Sequence, residues 1–171
     1  MDRSGFARLP QPAGVITGFY ADANSASHGF MREKHGTITT FDVLGAVNGT
    51  FPSSINPMGT ITGNYTDASG VNHGFVREKH GTITAFDVPG AVNGTFPSSI
   101  NPMGTITGSY TDASFEPHGF VRALNGLITT FDPPGAGGFQ RTQPQAINPR
   151  GLIAGYYTDS NNVFHGFLRT P

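Results

Sequence analysis

The residues in this sequence best suited to chemistry are aspartate–histidine pairs that recur at one spacing. Each Asp stands six residues before its His, and the pair occurs four times: Asp22/His28, Asp67/His73, Asp112/His118 and Asp159/His165. Carboxylate and imidazole can bind divalent metals, and they can also hydrogen-bond to each other or to turn N–H groups. One Asp and one His per copy fall short of the three or four protein ligands usual for zinc. The pattern therefore favours a structural lock on a turn, and we predict no metal and no cofactor.

A cation and a second carboxylate accompany the pairs. Each His is followed by Gly-Phe, one apolar residue and an Arg: Arg32, Arg77, Arg122 and Arg169. The second carboxylates are Asp42, Asp87 and Asp132. Because a guanidinium can bond several carbonyls and one carboxylate at once, we expect ion pairs between strands or neighbouring repeats. The functional alternative is a ring of Arg that collects an anionic ligand.

Two further recurring sets are candidates for ligand binding. The first is an Asn that precedes a Pro, at Asn56, Asn101 and Asn148. Turn chemistry explains Asn-Pro equally well, but residues near the axis of a repeat ring could converge on one central site. The second set can stack on sugar rings or serve as ordinary core residues: Tyr20, Tyr65, Tyr110 and Tyr157. The absence of Trp weakens a lectin interpretation.

These residues lie in a tandem repeat. The four His are separated by 45, 45 and 47 residues, and such a period indicates a repeat architecture. Residues 45–63 are identical to residues 90–108. We place one repeat domain over residues 1–171, with repeats at about 6–50, 51–95, 96–141 and 142–171.

The second repeat predicts four short strands joined by turns. Apolar alternation and turn residues place the strands at Thr50–Asn56, Thr60–Asp67, Asn72–Lys79 and Thr82–Val88. Asn56-Pro57-Met58-Gly59 is predicted to be a turn, and Val88-Pro89-Gly90-Ala91 a type II turn. Gly63 recurs in every repeat, which indicates close approach of another backbone or ring.

A two-residue hairpin is predicted between the third and fourth strands. His80-Gly81 occupies this place in the second repeat, and Asn125-Gly126, a strong hairpin signal, in the third. His35 and His80 are therefore interpreted as turn residues. Counting back from the turn places Phe75 opposite Phe86 as an aromatic cross-strand pair.

Four antiparallel strands in about 45 residues, repeated in tandem, predict an all-β fold. We expect a β-propeller of four blades, each a four-stranded antiparallel meander. The last repeat ends after its third strand, and Ser4–Pro12 could supply the missing edge strand. The same segment also aligns with the first strand of a repeat. The ring could therefore close within one chain, or two chains could share a larger ring.

At its His-Gly-Phe segments the chain resembles the HAF repeat family, which is named for a His-Ala-Phe core. In that family a Gly-x-Ile-x-Gly-x-Tyr strand precedes the core; here Gly replaces the central Ala in all four copies. The resemblance covers roughly Gly14 to Arg169. It implies a bacterial, extracellular or cell-surface setting and brings no catalytic residues. The N-terminus shows no apolar signal-peptide region.

Composition excludes several function classes. A formal net charge of −1 with no basic block disfavours nucleic acid and anionic membranes as partners, and no apolar run has the length of a membrane span. The chain has no Cys, so Cys nucleophiles and thiolate metal sites are excluded. A hydrolytic triad needs one unique Ser, base and acid, whereas the notable residues recur symmetrically. Residues that occur once form no recognisable constellation: Glu116, Arg141 and Arg150.

The sequence thus favours a non-enzymatic β-propeller repeat protein that acts as a structural or interaction scaffold. The alternative is a multivalent carbohydrate or small-ligand binding module with equivalent sites on each blade. A glycan or a protein is the expected partner in either case.

Overall fold

The computed structural model describes residues 14–139 and 141–171 of an all-β chain. Fourteen strands within these residues form four antiparallel sheets. The chain divides into two compact units, Met1–Phe86 and Asp87–Pro171. Within the described residues, no helix has the length and hydropathy needed to cross a membrane. Ser4–Pro12, the segment considered for closing the ring, lies outside the described residues.

The first unit contains two sheets that follow the first two repeats. The first sheet has the order β1-β2-β3, with strands Ile16–Ala21, Ser27–Arg32 and Ile38–Phe41. The second has the order β4-β5-β6-β7, with strands Gly49–Ile55, Ile61–Thr66, Asn72–Arg77 and Ile83–Phe86. The four strands predicted for the second repeat are confirmed, with ends shifted by one or two residues.

The second unit also contains two sheets. Its first sheet contains β8 to β11 in sequence order, with strands Gly94–Ile100, Ile106–Thr111, Pro117–Arg122 and Ile128–Phe131. Its second sheet contains β12 to β14, with strands Thr142–Ile147, Ile153–Thr158 and Phe164–Arg169. Each sheet within the described residues is therefore a meander of neighbouring strands. The two middle sheets have the four strands predicted for a repeat, and the first and last sheets have three.

Each unit has its own apolar core, formed where the first strand of one sheet meets the face of the other. In the first unit β4 packs against β1 and β2, and Ile55, Ile61 and Phe75 are buried there. In the second unit β12 packs against β8, β9 and β10. β5 is covered on both faces, since Ile61 and Thr62 are both fully buried although they point in opposite directions.

Two predicted turns are confirmed by their hydrogen bonds. The Gly59 N–H donates to the Asn56 carbonyl at 3.0 Å, which closes the turn between β4 and β5. The Ala91 N–H donates to the Val88 carbonyl at 2.9 Å, and Gly90 has a φ of 88°. A positive φ at the third residue is what a type II turn requires.

The predicted hairpin between the third and fourth strands is wrong by one residue. The structure pairs Arg77 with Ile83, and the Glu78 N–H donates to the Thr82 carbonyl at 2.8 Å. The loop therefore has three residues and ends at Gly81, whose φ is 100°. A type I turn followed by a left-handed Gly is a common three-residue hairpin. Asn125-Gly126 uses the same loop, in which Gly126 alone has a positive φ.

Because the observed register differs from the predicted one, the aromatic side chains have different partners from those predicted. Phe75 pairs with Ala85, and Phe86 lies opposite Gly74, so the predicted Phe75–Phe86 pair does not form. Phe75 instead meets Phe41 of the adjacent sheet edge-to-face, with ring centroids 6.2 Å apart. Phe131 and Phe167 repeat this contact in the second unit at 5.9 Å. The aromatic pairs therefore join neighbouring sheets rather than neighbouring strands.

The recurring Gly63 is confirmed as a point of close backbone approach. A Cβ atom at this position would lie 2.2 Å from the Phe51 carbonyl oxygen of β4. Gly108 stands in the same relation to Phe96 at 2.2 Å, and Gly155 to Gln143 at 2.4 Å. At each site the pairing of the first two strands shifts register, for example between Pro52 and Ser54. Only glycine allows the bulged strand to come this close.

Candidate functional site

The recurring aspartates each organise the loop between the second and third strands of a repeat, which we call the Asp loop. In the second repeat, Oδ1 of Asp67 accepts hydrogen bonds from the backbone N–H groups of Ser69 at 2.8 Å and Val71 at 2.9 Å. The same two bonds, to the residues two and four positions on, recur at Asp22, Asp112 and Asp159. The Val71 bond is the main cause that holds the pKa of Asp67 below its ordinary value of 3.8. This is an Asx-type turn in which the side chain replaces a backbone acceptor.

The second carboxylate oxygen of each Asp loop faces the recurring histidine. Oδ2 of Asp67 lies 3.3 Å from Nε2 of His73, and Oδ2 of Asp159 lies 3.1 Å from Nε2 of His165. The distance is 3.5 Å in both the Asp22–His28 and Asp112–His118 pairs. The structure thus contains both arrangements considered for the aspartate, a bond to turn N–H groups and a contact with the histidine.

A second carboxylate holds the other ring nitrogen of His28 and of His118. Nδ1 of His28 lies 2.9 Å from Oδ2 of Asp42, and Nδ1 of His118 lies 2.7 Å from Oδ2 of Asp132. The bond to Asp42 is the main cause that raises the pKa of His28 above its ordinary value of 6.5. An imidazole between two carboxylates is held in place through both nitrogens, as a structural residue requires.

The recurring tyrosines stack on these histidines. The ring centroids are 5.3 Å apart for Tyr20 and His28 and 5.1 Å apart for Tyr157 and His165, and both intermediate pairs are at 5.2 Å. Burial raises the pKa of the Tyr110 hydroxyl, an effect that a nearby Thr130 hydrogen bond partly offsets. One face of each tyrosine ring is therefore already in contact with an aromatic neighbour. We call each set of Asp loop, histidine and tyrosine a histidine clamp.

Two of the recurring arginines lie over aromatic rings of a neighbouring sheet. The guanidinium carbon of Arg77 is 4.8 Å from the ring centroid of Phe41, and Arg169 lies at the same distance from Phe131. In both cases the ring belongs to the adjacent sheet of the same unit. Asp42 and Asp132 bond histidines. A cation over a ring face is attracted by the ring electrons, and Arg77 makes this contact while it is buried.

The recurring asparagines lock the turn between the first and second strands. Oδ1 of Asn101 accepts from the backbone N–H groups of Met103 at 3.0 Å and Thr105 at 2.9 Å. Asn56 and Asn148 make the same pair of bonds. The side-chain amide of Asn101 also donates to the Asn148 carbonyl at 3.2 Å, which links the two sheets of the second unit. Asn56 and Asn101 are buried, so a ligand at these positions would have to contact their turns rather than displace their side chains.

One cluster of charged residues occurs in the third repeat without a counterpart among the residues that the structure describes, and sequence reasoning missed it. Arg141 forms an ion pair with Glu116, and its Nε lies 3.5 Å from Oδ2 of Asp132. Glu116 also stands close to Asp112 and His118, since one ligand-type atom from each lies within 4.8 Å of the others. The guanidinium already supplies the positive charge for these carboxylates. The sequence feature that could have indicated this cluster is Glu116, which stands where the nearly identical second repeat has Val71.

Buried threonines form a second recurring set that the sequence pattern did not reveal. The hydroxyl of Thr62 donates to the Phe75 carbonyl at 2.9 Å, and Thr107 and Thr17 do the same to Phe120 and Phe30. Thr62 and Thr107 have no solvent exposure. Their spacing is that of ordinary strand residues, so the sequence does not distinguish them from exposed threonines. Their burial becomes evident only in the structure, where both faces of the strand are covered.

One histidine clamp borders a groove. In the second unit a groove of about 520 Å³ is lined by Asp132, Tyr157 and Arg169, together with Phe131, Phe167 and Leu168. It runs along β14, which is the edge strand of its sheet. An aromatic ring, a carboxylate and a guanidinium therefore face the same open space, and this combination can bind a polar ligand that has an apolar face.

Comparison with solved structures shows the fold. A streptogramin B lyase structure aligns with 93% of this chain and 52% of its own, at 14% identity and a TM-score of 0.55. TolB from Acinetobacter baumannii aligns with 96% of this chain and 43% of its own, at 12% identity and a TM-score of 0.62. Both are β-propeller proteins. No family model and no curated protein matches the sequence. The chain, which spans about half the length of these structures or less, thus has an all-β fold similar to that of propeller proteins.

Proposed function

We propose that the chain is a non-enzymatic β-propeller repeat protein of the HAF type that acts as a structural or interaction scaffold. The four sheets are then the blades of the propeller. The observation that carries this proposal is the internal use of the recurring residues. The Oδ1 atom of each Asp loop holds two backbone N–H groups, and the histidine of each clamp contacts an Asp and a Tyr. Arg77 and Arg169 lie over Phe rings. Side chains that are bonded to their own blade in this way favour a structural role over a catalytic one.

The resemblance to the HAF family also supports an extracellular or cell-surface setting. The scaffold proposal predicts that loss of a histidine clamp destabilises the protein. We expect Asp67→Ala and His73→Ala to lower the Tm by several degrees, since each removes a hydrogen-bonded loop contact. Asp67→Asn keeps an oxygen acceptor and is expected to fall between Asp67→Ala and wild type.

The control for this measurement is Ser69→Ala, on the exposed surface of the same loop. It leaves the backbone N–H that bonds Asp67 in place, and its Tm is expected to match wild type. Thermal unfolding followed by circular dichroism provides the readout. An Asp67→Ala protein as stable as the control would count against the scaffold role of the motif.

A second candidate function is carbohydrate binding, which the groove along β14 favours. Tyr157 and the neighbouring Asp132 and Arg169 offer a stacking surface and polar groups in one groove of about 520 Å³. Multivalent binding through all four tyrosines predicts several equivalent sites per chain, whereas binding at this groove predicts one. A glycan array followed by calorimetry of any hit gives the stoichiometry. Absence of binding to every polysaccharide would exclude the carbohydrate function.

A further inference from the structure

A second groove lies entirely within the first unit, between its two sheets. It has a volume of about 520 Å³, in the range of small-molecule sites. Two hairpin loops contribute Lys34 and His35 on one side and Lys79 and His80 on the other. The apolar part of the lining consists of Val15, Met31 and Met58. We call this site the cationic groove.

The charges that line the groove are predominantly positive. Lys34 and Lys79 outnumber the carboxylate of Glu33, which leaves a formal charge of +1 with both histidines neutral. The aliphatic stems of both lysines pack against turn glycines. A Cβ atom at Gly14 would lie 3.4 Å from Cγ of Lys34, and one at Gly59 would lie 3.3 Å from Cγ of Lys79. Such packing fixes the stem and leaves the ammonium group to reach the groove.

The hairpin fold does not require these lysines and histidines. Residues 33–39 and 78–84 share the sequence Glu-Lys-His-Gly-Thr-Ile-Thr, whereas the third repeat has Ala123, Leu124 and Asn125 in place of Glu, Lys and His. Both types of loop have the same geometry, since Arg122 pairs with Ile128 as Arg77 pairs with Ile83. The closing N–H to carbonyl bond is 2.8 Å in each. The two Lys-His pairs that meet at the groove are therefore dispensable for folding the loop.

We propose that the cationic groove binds a small organic oxyanion. The carboxylate or phosphate group of the ligand binds at Lys34, Lys79 and the two histidines, and its apolar body lies against Val15, Met31 and Met58. Ammonium and imidazole donors suit oxyanions, and hydrogen bonds to charged groups are the stronger ones. This site goes beyond the proposed scaffold function, which holds whether or not the groove is occupied.

Methionine methyl groups report on the site. Protein labelled at the methionine methyl carbons is titrated with phenyl phosphate, benzoate, inorganic phosphate and phenol, and the spectra are followed by NMR. Met31 and Met58 line the cationic groove. Met103 lines a smaller groove of about 260 Å³ in the second unit, which carries Arg150 and Arg169. We expect saturable shifts of Met31 and Met58 with phenyl phosphate or benzoate, at lower concentrations than any shift of Met103. Phenol and inorganic phosphate should bind more weakly, since each lacks one half of the ligand.

The third repeat supplies the matched variant. Lys79→Leu with His80→Asn introduces the residues of a loop that already folds in this chain, and Tm checks that it does so. Loss of these donors is expected to weaken phenyl phosphate binding at least about tenfold. Glu78→Ala, also taken from the third repeat, changes a residue outside the groove lining and should leave the affinity unchanged.

Three outcomes would overturn the proposal. The first is that neither phenyl phosphate nor benzoate produces a saturable shift of Met31 and Met58. The second is that the double variant and wild type bind phenyl phosphate with equal affinity. The third is that phenol binds as tightly as benzoate. A shift of Met103 at the same concentrations would indicate general attraction to cationic surface and would also count against it. None of these outcomes alters the stability test of Asp67, so failure here is distinguishable from failure of the scaffold proposal.

Discussion

At the scale of single residues, each recurring aspartate holds two different groups through its two carboxylate oxygens. Asp67 uses one oxygen to hold its own loop and the other to hold a histidine on the next strand. The histidine in turn stacks on Tyr65 from the preceding strand. A residue pair that could have formed part of a metal site thus connects two strands and the loop between them. Protonation of either partner should change stability, and the first repeat offers the best-defined case.

The stabilisation from His28 is expected to depend on pH on the alkaline side. Its pKa is raised above 6.5, chiefly by the bond to Asp42, so the folded state favours the protonated ring. That contribution is fully present below about pH 6.5 and is lost as pH rises through the raised pKa. We expect the Tm difference between wild type and His28→Gln to shrink over this range. His35→Gln, on an exposed hairpin loop, is the control, and a pH-independent Tm difference for His28→Gln would contradict the prediction.

The Asp loops are expected to limit stability in acid. The pKa values of Asp22, Asp67, Asp112 and Asp159 are all held below 3.8, chiefly by backbone N–H bonds. A carboxylate with a lowered pKa stabilises the fold above its unfolded value, and this stability is lost as pH falls through the folded pKa. The free energy of unfolding should therefore decline below about pH 4. Asp67→Asn should reduce the steepness of that decline in urea unfolding series, and an unchanged slope would argue against the Asp loop as its source.

Phe115 adopts a backbone conformation that suits glycine. Its φ is 61°, and the equivalent residue in the second repeat is Gly70, with a φ of 82°. The side chain is exposed, so little packing offsets the left-handed conformation. We expect Phe115→Gly to stabilise the protein by up to about 1 kcal/mol, and Gly70→Phe to destabilise it by a similar amount. Denaturant unfolding of both variants tests the pair, and a destabilised Phe115→Gly would show that Phe115 has packing or binding value of its own.

At the level of strands, the one-residue change of register explains why glycine stands inside the His-Gly-Phe segments. A Cβ atom at Gly74 would lie 2.8 Å from the Phe86 ring on β7, and Gly29 and Gly119 meet Phe41 and Phe131 in the same way. Packing against these rings therefore leaves no room for a side chain at the central position of the three His-Gly-Phe segments. The aromatic ring of the fourth strand covers the glycine of the third.

The fourth repeat provides a control for this contact. A Cβ atom at Gly166 would have the Gly155 oxygen at 4.0 Å as its nearest neighbour. We expect Gly74→Ala to destabilise the protein by about 1–3 kcal/mol, because the Phe86 ring must move, and Gly166→Ala to have little effect. Chemical denaturation of the two variants provides the comparison. Equal stability of the two would show that the ring adjusts without cost.

The sequence predicts strand number, strand order and most turns because apolar alternation and Gly-Pro punctuation are local signals. It predicts the Asp-His contact because both residues recur at a spacing that one hairpin spans. It places Phe75 opposite the wrong residue because two- and three-residue hairpins both end in glycine. It misses the stacking of Arg77 on Phe41 and the Glu116–Arg141 ion pair, since these contacts depend on packing between sheets and between distant loops.

For the whole molecule, the proposed propeller allows two forms of ring closure, which the state of association would distinguish. A ring closed within one chain gives the mass of a single chain at every concentration, and a ring shared by two chains gives twice that mass. We expect light scattering to show one of these two masses and no larger series, because cyclic assembly is closed. A ladder of higher masses would contradict ring closure and indicate open association through exposed strand edges.

The identity of β4 and β8 has a consequence for how the protein reaches its native state. Each is the sequence Gly-Thr-Phe-Pro-Ser-Ser-Ile, and each pairs with a following strand that begins Ile-Thr-Gly. A refolding chain can therefore join β8 to β5, or to β5 of another molecule, with nearly the same local contacts. Such exchange between like repeats is a known route to misassembly and domain swapping. Refolding at high protein concentration is expected to yield long-lived domain-swapped dimers. Refolding at low protein concentration is expected to yield few of them.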